Sequence, residues 1–192
     1  MNLPIVAYGH STLRKVATEI DKDYPGLTEL IANMWDTLYH SNGVGLAAPQ
    51  VNHSIRLFLV DSVQIVEGAD EEDKDEYKDE KPIKAVFINP YIIDEQGTEW
   101  KYNEGCLSIP KIREDVMRQP TVTLKYQDEN FEHHTRTFDG ITARVIQHEY
   151  DHIEGKLFID RISPLKRRLM KSKLDDISKG KVKVNYKMLF PK

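Results

Sequence analysis

A single cysteine, Cys106, stands in 192 residues, so no intramolecular disulfide can form. That leaves the thiol as a small buried hydrophobe, a nucleophile or a metal ligand. Long apolar runs are missing as well. Nothing approaches the roughly 18 consecutive apolar residues of a membrane span, which predicts a soluble protein with no membrane partner. The opening MNLPIVAYGH has no basic segment followed by a long apolar stretch. No secretory leader is expected, and a cytoplasmic location follows. Internal repeats and Pro/Gly-rich linkers are also absent. The length suits one domain with a sizeable core rather than two, so residues 1–192 are expected to form a single unit.

Charge is present but unevenly spread behind a net value of −4. Residues 67–80 hold nine acids and two lysines. Like charges repel and almost nothing there could enter a core, so a mobile acidic loop is predicted over 67–82. Residues 165–192 hold ten basic residues and two acids, which suits a solvated helix face followed by a strand. Nothing points to DNA.

Apolar residues at helical spacing predict a helix from Thr28 to His40, with Thr28 as cap and Asn42-Gly43 as stop. The runs Ile55 to Asp61 and Lys84 to Asp94 read as strands. PTVTLKYQD and FEHHTRTFD, separated by Glu129-Asn130, read as an antiparallel hairpin. After Gly140 comes a helix that lines up Ile141, Val145, His148 and His152 on one face. A C-terminal helix is expected over 163–180, capped by Ser163 with Pro164 in its first turn and stopped at Gly180. The alternation of Val182, Val184, Tyr186 and Met188 predicts a half-buried strand. The class is α+β, with antiparallel or mixed β-sheets around a central metal-binding helix and further helices toward both termini.

The chemistry concentrates in QHEYDH, Gln147 to His152. Histidines four residues apart lie one helical turn apart and can share one ion, while Glu149 beside them can act on a water. The same three residues could sit by chance on an ordinary helix, but imidazoles on an apolar face need partners. A catalytic site needs a third ligand, and Cys106 in NEGCLSIP is the candidate, flanked by Glu104, Gly105 and Ser108. The glycine-rich NGVGLAAPQ, residues 42–50, could bring main chain close to a ligand or could simply stop a helix and turn.

Together these stretches resemble the peptide deformylase family. Its three motifs occur here in order as GVGLAAPQ from Gly43 to Gln50, EGCLS from Glu104 to Ser108, and QHEYDH. LRKVA at Leu13 to Ala17 and HIEGKLFIDRISPLKR at His152 to Arg167 extend the resemblance over nearly the whole chain. It implies hydrolysis of the formyl group from the initiator methionine of nascent polypeptides. By this resemblance Cys106, His148 and His152 bind one divalent metal, foremost Fe2+ with Zn2+, Ni2+ or Co2+ as substitutes. Glu149 moves the protons, and Gln50 and the backbone N–H of Leu107 face the oxyanion. The peptide lies extended along Val44, Gly45 and Gly105, and its methionine enters a pocket of Val44, Arg113, Val145 and His148. The basic C-terminal helix is implied to contact the ribosome near its exit tunnel through Lys166, Arg167, Arg168, Lys171 and Lys173. A zinc peptidase using Glu154 or Asp160 as third ligand is the rival enzyme, and a structural metal or RNA-binding protein is the rival outside catalysis.

Overall fold

The computed structural model describes residues 1–70, 72, 74, 75 and 77–191. Leu57 to Val60, four consecutive apolar residues, explain the architecture. They belong to β3 (Leu57–Asp61), whose side chains alternate between two faces, and both faces are buried. Leu57 and Leu59 join one apolar cluster with Leu30, Ile31, Met34 and Leu38 of α1 (Leu27–His40). Phe58 and Val60 join another with Ala143, Val145 and Ile146 of α3 (Gly140–Ile153). A continuous apolar run is what a strand buried on both sides requires. Each large side chain so buried contributes about 1.5–3 kcal/mol.

Around β3 the sheet runs in the order β2 (Gly45–Ala47), β3, β4 (Lys84–Gln96), β7 (Thr121–Gln127) and β8 (His133–Asp139). All its pairings are antiparallel. A separate hairpin joins β5 (Trp100–Cys106) to β6 (Ile109–Arg118). A short parallel pair joins β1 (Ile5–Val6) to β9 (Met188–Leu189). The helical turn α2 (Val63–Glu67) follows β3, and α4 (Pro164–Leu169) and α5 (Lys171–Ser178) follow α3. No helix is long and apolar enough to cross a membrane among the described residues.

The α+β class and the β7–β8 hairpin agree with expectation, while several boundaries differ. The cap of α1 is Gly26, at φ 70°, and Thr28 lies inside the helix. The expected helix over 163–180 is two helices, parted at Met170. Ser163 does cap the first, its hydroxyl accepting from Lys166 N–H. Of the strand expected over 182–188 only Met188 is paired. Its partner β1 is two residues long, so most of the alternating segment has no ladder to join. Part of the glycine-rich segment, read as a loop, is the edge strand β2. Within the acidic stretch Glu71, Asp73 and Glu76 lie outside the described residues. Its far end is tied down, because the Glu80 carboxylate accepts from Ile141 N–H at 3.0 Å, in the first turn of α3.

Candidate active site

Three elements meet where β5 ends. At Gly105 the β5–β6 ladder is in register with Arg113, but the next pair is Cys106 with Ile109. Leu107 and Ser108 form the tight turn that this last pair closes, and the Cys106 thiol faces α3. From α3 come His148 and His152, with ring centroids 5.1 Å apart. Cys106 Sγ lies 3.3 Å from His152 Nε2, and the ligand atoms of the three residues all fall within 4.8 Å of one another. In a tetrahedral site with bonds of about 2.0–2.3 Å, neighbouring donors stand roughly 3.5 Å apart. One thiol and two imidazoles at such spacing fit a single metal ion.

The surroundings strengthen the fit. His148 Nδ1 meets Glu104 Oε2 at 2.9 Å, which leaves Nε2 as its ligand atom. A carboxylate behind a ligating histidine is the usual orienting arrangement. Glu104 is buried and in turn accepts from Arg118 at 2.7 and 3.0 Å and from Arg144 at 3.0 Å. Burial alone would raise the Glu104 pKa, but His148 and Arg118 outweigh it and hold the carboxyl well below its ordinary range. Arg118 also donates to Asp151 at 2.7 Å, and Arg161 clamps the same carboxylate from outside. The ionic chain therefore runs from the metal-facing ring to the far side of α3. Burial pushes His152 well below its ordinary pKa, while against the same burial the Cys106 sulfur and the Glu104 carboxylate hold His148 above its own in the metal-free protein.

Glu149 is different. It is 4% exposed, and its Oε2 has no hydrogen-bond partner among the described residues. Burial pushes its pKa up to about 7, so the carboxyl can take and give a proton near neutrality. Gly45 lies against it: a Cβ there would stand 2.8 Å from Glu149 Cγ and Cδ. Gln50 sits in the buried turn Ala48–Val51 after β2. Ala47 N–H donates to its Oε1 at 2.9 Å, which turns Nε2 toward Ser108 Oγ at 3.3 Å and Cys106 Sγ at 3.5 Å.

These groups open on a cleft of about 520 Å³. Every residue singled out from the sequence as catalytic or substrate-binding lines it: Val44, Gly45, Gln50, Gly105, Leu107, Arg113, Val145 and Glu149, with Cys106 and His148. His152 is behind them and 1% exposed. The two rival ligands are engaged elsewhere, Glu154 with Arg56 at 2.7 Å and Asp160 with Arg14. A second trio, Asp128, Glu132 and His134, comes together in the β7–β8 turn. There Asp128 accepts from the N–H groups of Asn130 and Glu132, which is ordinary turn chemistry.

Sequence reasoning missed Arg118, Arg144, Ile65, Val184 and Tyr186. The one available signal was an arginine, Arg144, inside a helical stretch whose neighbours are apolar, since a buried guanidinium demands a buried acid. Tyr186 donates to the Leu107 carbonyl at 2.8 Å. Burial, and after it the Cys106 sulfur, raises its pKa above the ordinary phenol value, so the hydroxyl remains a donor.

Comparisons with known proteins show the family. A family model described as Polypeptide deformylase matches residues 2–168. A peptide deformylase of Christiangramia forsetii is 59% identical over 100% of this chain and 97% of its own length. One from Flavobacterium johnsoniae is 56% identical over 99% of this chain and 96% of its own. The crystal structure of a peptide deformylase from Legionella pneumophila superposes with a TM-score of 0.78 at 36% identity, covering 94% of this chain and 98% of that one.

Proposed function

Since the chain belongs to the peptide deformylase family and removes the N-formyl group from nascent polypeptides, we propose that one metal ion held by Cys106, His148 and His152 serves that hydrolysis, with Glu149 carrying the protons. The bound ion supplies Lewis acidity and makes a water acidic enough to ionise near neutral pH. A thiolate beside two imidazoles accepts ferrous iron, which we assign, and equally zinc, nickel or cobalt.

The remaining chemistry falls to the chain's own groups. Glu149 takes a proton from the attacking water and returns it to the amine nitrogen as the C–N bond breaks, leaving formate and a free methionyl amine. Gln50 Nε2 and the Leu107 N–H donate to the oxygen on which charge develops. Gln50 is suited to this because Ala47 N–H fixes its amide. The peptide lies extended beside the edge strand β2 and Gly105, and its methionine side chain enters between Val44, Val145 and the stem of Arg113. The single observation that carries this reading is Glu149: a buried carboxylate oxygen with no hydrogen-bond partner among the described residues, beside a metal-competent trio and facing the cleft.

The test is formate release from formyl-Met-Ala by Glu149→Gln enzyme of verified metal content. Activity is expected to fall by at least about a hundredfold with the metal retained. Near-normal turnover by that variant would refute the assignment.

We further read residues 1–192 as one catalytic unit working in the cytoplasm, where nascent chains are made. Its exposed C-terminal basic face is our candidate for ribosome contact. Lys166 pairs with Glu114 and Arg167 with Asp160, so Arg168, Lys171 and Lys173 are the residues we expect to meet phosphates. Their reversal to glutamate should abolish salt-sensitive co-sedimentation with ribosomes, and unchanged co-sedimentation would remove the proposal.

A further inference from the structure

Beyond α5 the chain does not trail away. Gly180, at φ 71°, turns residues 181–191 back toward the catalytic cleft. The end of this arm is fixed by backbone bonds to the N-terminal segment: Ile5 N–H to Lys187 O and Ala7 N–H to Leu189 O, both 2.8 Å. Met188, Leu189 and Phe190 pack on the third apolar cluster. Just before that anchor, Val184 and Tyr186 line the cleft. The Tyr186 hydroxyl donates to Leu107 O at 2.8 Å, a contact that none of the roles above uses.

Leu107 lies in the two-residue turn between Cys106 and Ile109, just beyond the register slip of the β5–β6 hairpin. The turn is held largely from outside. Ser108 O accepts from Tyr8 N–H at 2.9 Å, Ser108 Oγ meets Gln50 Nε2 at 3.3 Å, and Leu107 O is held by Tyr186. Peptide units are rigid planes joined by two soft torsions per residue. Fixing the carbonyl of Leu107 therefore limits how far its own N–H, one residue plane away, can swing.

We infer that Tyr186 is a positioning residue for deformylation, holding the Leu107 carbonyl so that the Leu107 N–H stays aimed at the developing oxyanion, and that the 181–191 arm is a wall of the active site. The inference rests on the assignment of Leu107 N–H and Gln50 as oxyanion donors. A donor displaced by as little as an ångström loses much of its effect on the transition state while hardly altering substrate binding. The signature is consequently a fall in kcat at nearly constant KM.

Tyr186→Phe removes only the hydroxyl and keeps the ring that packs against the cleft. Steady-state kinetics on formyl-Met-Ala would be measured for the metal-loaded wild type, Tyr186→Phe and Gln50→Ala, with metal content and melting temperature determined for each. The expected result is a roughly ten- to hundredfold lower kcat in Tyr186→Phe, with KM, metal content and melting temperature close to wild type, and a larger loss in Gln50→Ala. Wild-type kcat in Tyr186→Phe alongside a crippled Gln50→Ala overturns the role of Tyr186 alone. Full activity in Gln50→Ala overturns the oxyanion assignment, and the inference with it. A kcat that falls only in proportion to lost metal, or a change confined to KM, also overturns it.

Discussion

A methyl group at position 45 would stand 2.8 Å from Glu149 Cγ and Cδ, closer than any real carbon contact. Gly45 does not have a left-handed backbone, so alanine is conformationally allowed there and the clash falls on the Glu149 carboxylate. Gly45→Ala is expected to destabilise the protein by about 1–3 kcal/mol and to lower kcat through a displaced Glu149, with Cys106, His148 and His152 still binding metal. Kinetics with metal analysis on the purified variant would check this. Retained turnover would mean that Glu149 tolerates movement and that Gly45 is required only for the strand. Glycine also explains why this part of the site could be read from sequence at all: Gly43 and Gly45 advertise close approach of backbone to other groups. Part of what they approach, Leu107 for Gly43 and Glu149 for Gly45, is distant in the chain and left no local trace.

Among elements, those with a simple apolar pattern were legible. α1 buries Leu27, Leu30, Ile31, Met34 and Leu38 at helical spacing, β7 alternates along its length, and β3 is a continuous apolar run buried on both faces. The β5–β6 hairpin was invisible because its buried positions do not follow a simple apolar alternation. Glu104 and Arg118 are buried charges, the ladder slips at Cys106, and Lys111 has φ 63°. The C-terminal helix was read as continuous because no proline or glycine interrupts it. It breaks because α4 buries no residue while α5 buries Leu174 and Ile177, so the two halves answer to different surroundings. The proposed metal ligands on α3 were legible from a four-residue spacing; the salt-bridge chain behind them, spanning Glu104, Arg118, Arg144 and Asp151, has no such short-range signature. That chain couples β5, β6 and α3, and Arg118 is its centre, bonded to two carboxylates. Arg118→Ala would leave both acids buried without their shared cation, at an expected cost of about 3–5 kcal/mol. It should also loosen the metal, since Glu104 orients His148. Urea unfolding and metal competition on this variant would measure both effects, and a near-neutral change in stability would show that Arg144 and Arg161 suffice.

The molecule as a whole is tied together at Asp160, just beyond the exit of α3. Its carboxylate accepts from Arg14 near the N-terminus, from Leu157 N–H at 2.9 Å, and lies 3.1 Å from Arg167 of α4. The N-terminal Arg14 is thereby joined to the α3–α4 region on one charge, which lies outside the catalytic cleft. Burial of Asp160 acts to raise its pKa, but Arg14 and the Leu157 N–H outweigh it, and the folded value lies below the ordinary 3.8. A carboxyl whose pKa is depressed by folding binds its proton more readily when unfolded. Its stabilisation is therefore complete above the unfolded value and is lost as pH falls through the folded one. Asp160→Asn should cost about 1–2 kcal/mol at pH 7, the range for charge-assisted bonds that are partly exposed. The gap between variant and wild type should close as the medium is acidified below the ordinary carboxylate range. Melting temperatures of both proteins across that range would test the sign directly. A gap that stays constant with pH would mean that Asp160 acts through shape and neutral hydrogen bonds rather than charge. A gap that widens in acid would contradict a depressed pKa. In neither case would turnover per bound metal at pH 7 be expected to change, which separates the clamp that ties the N-terminal segment to the α3–α4 region from the groups proposed to carry the reaction.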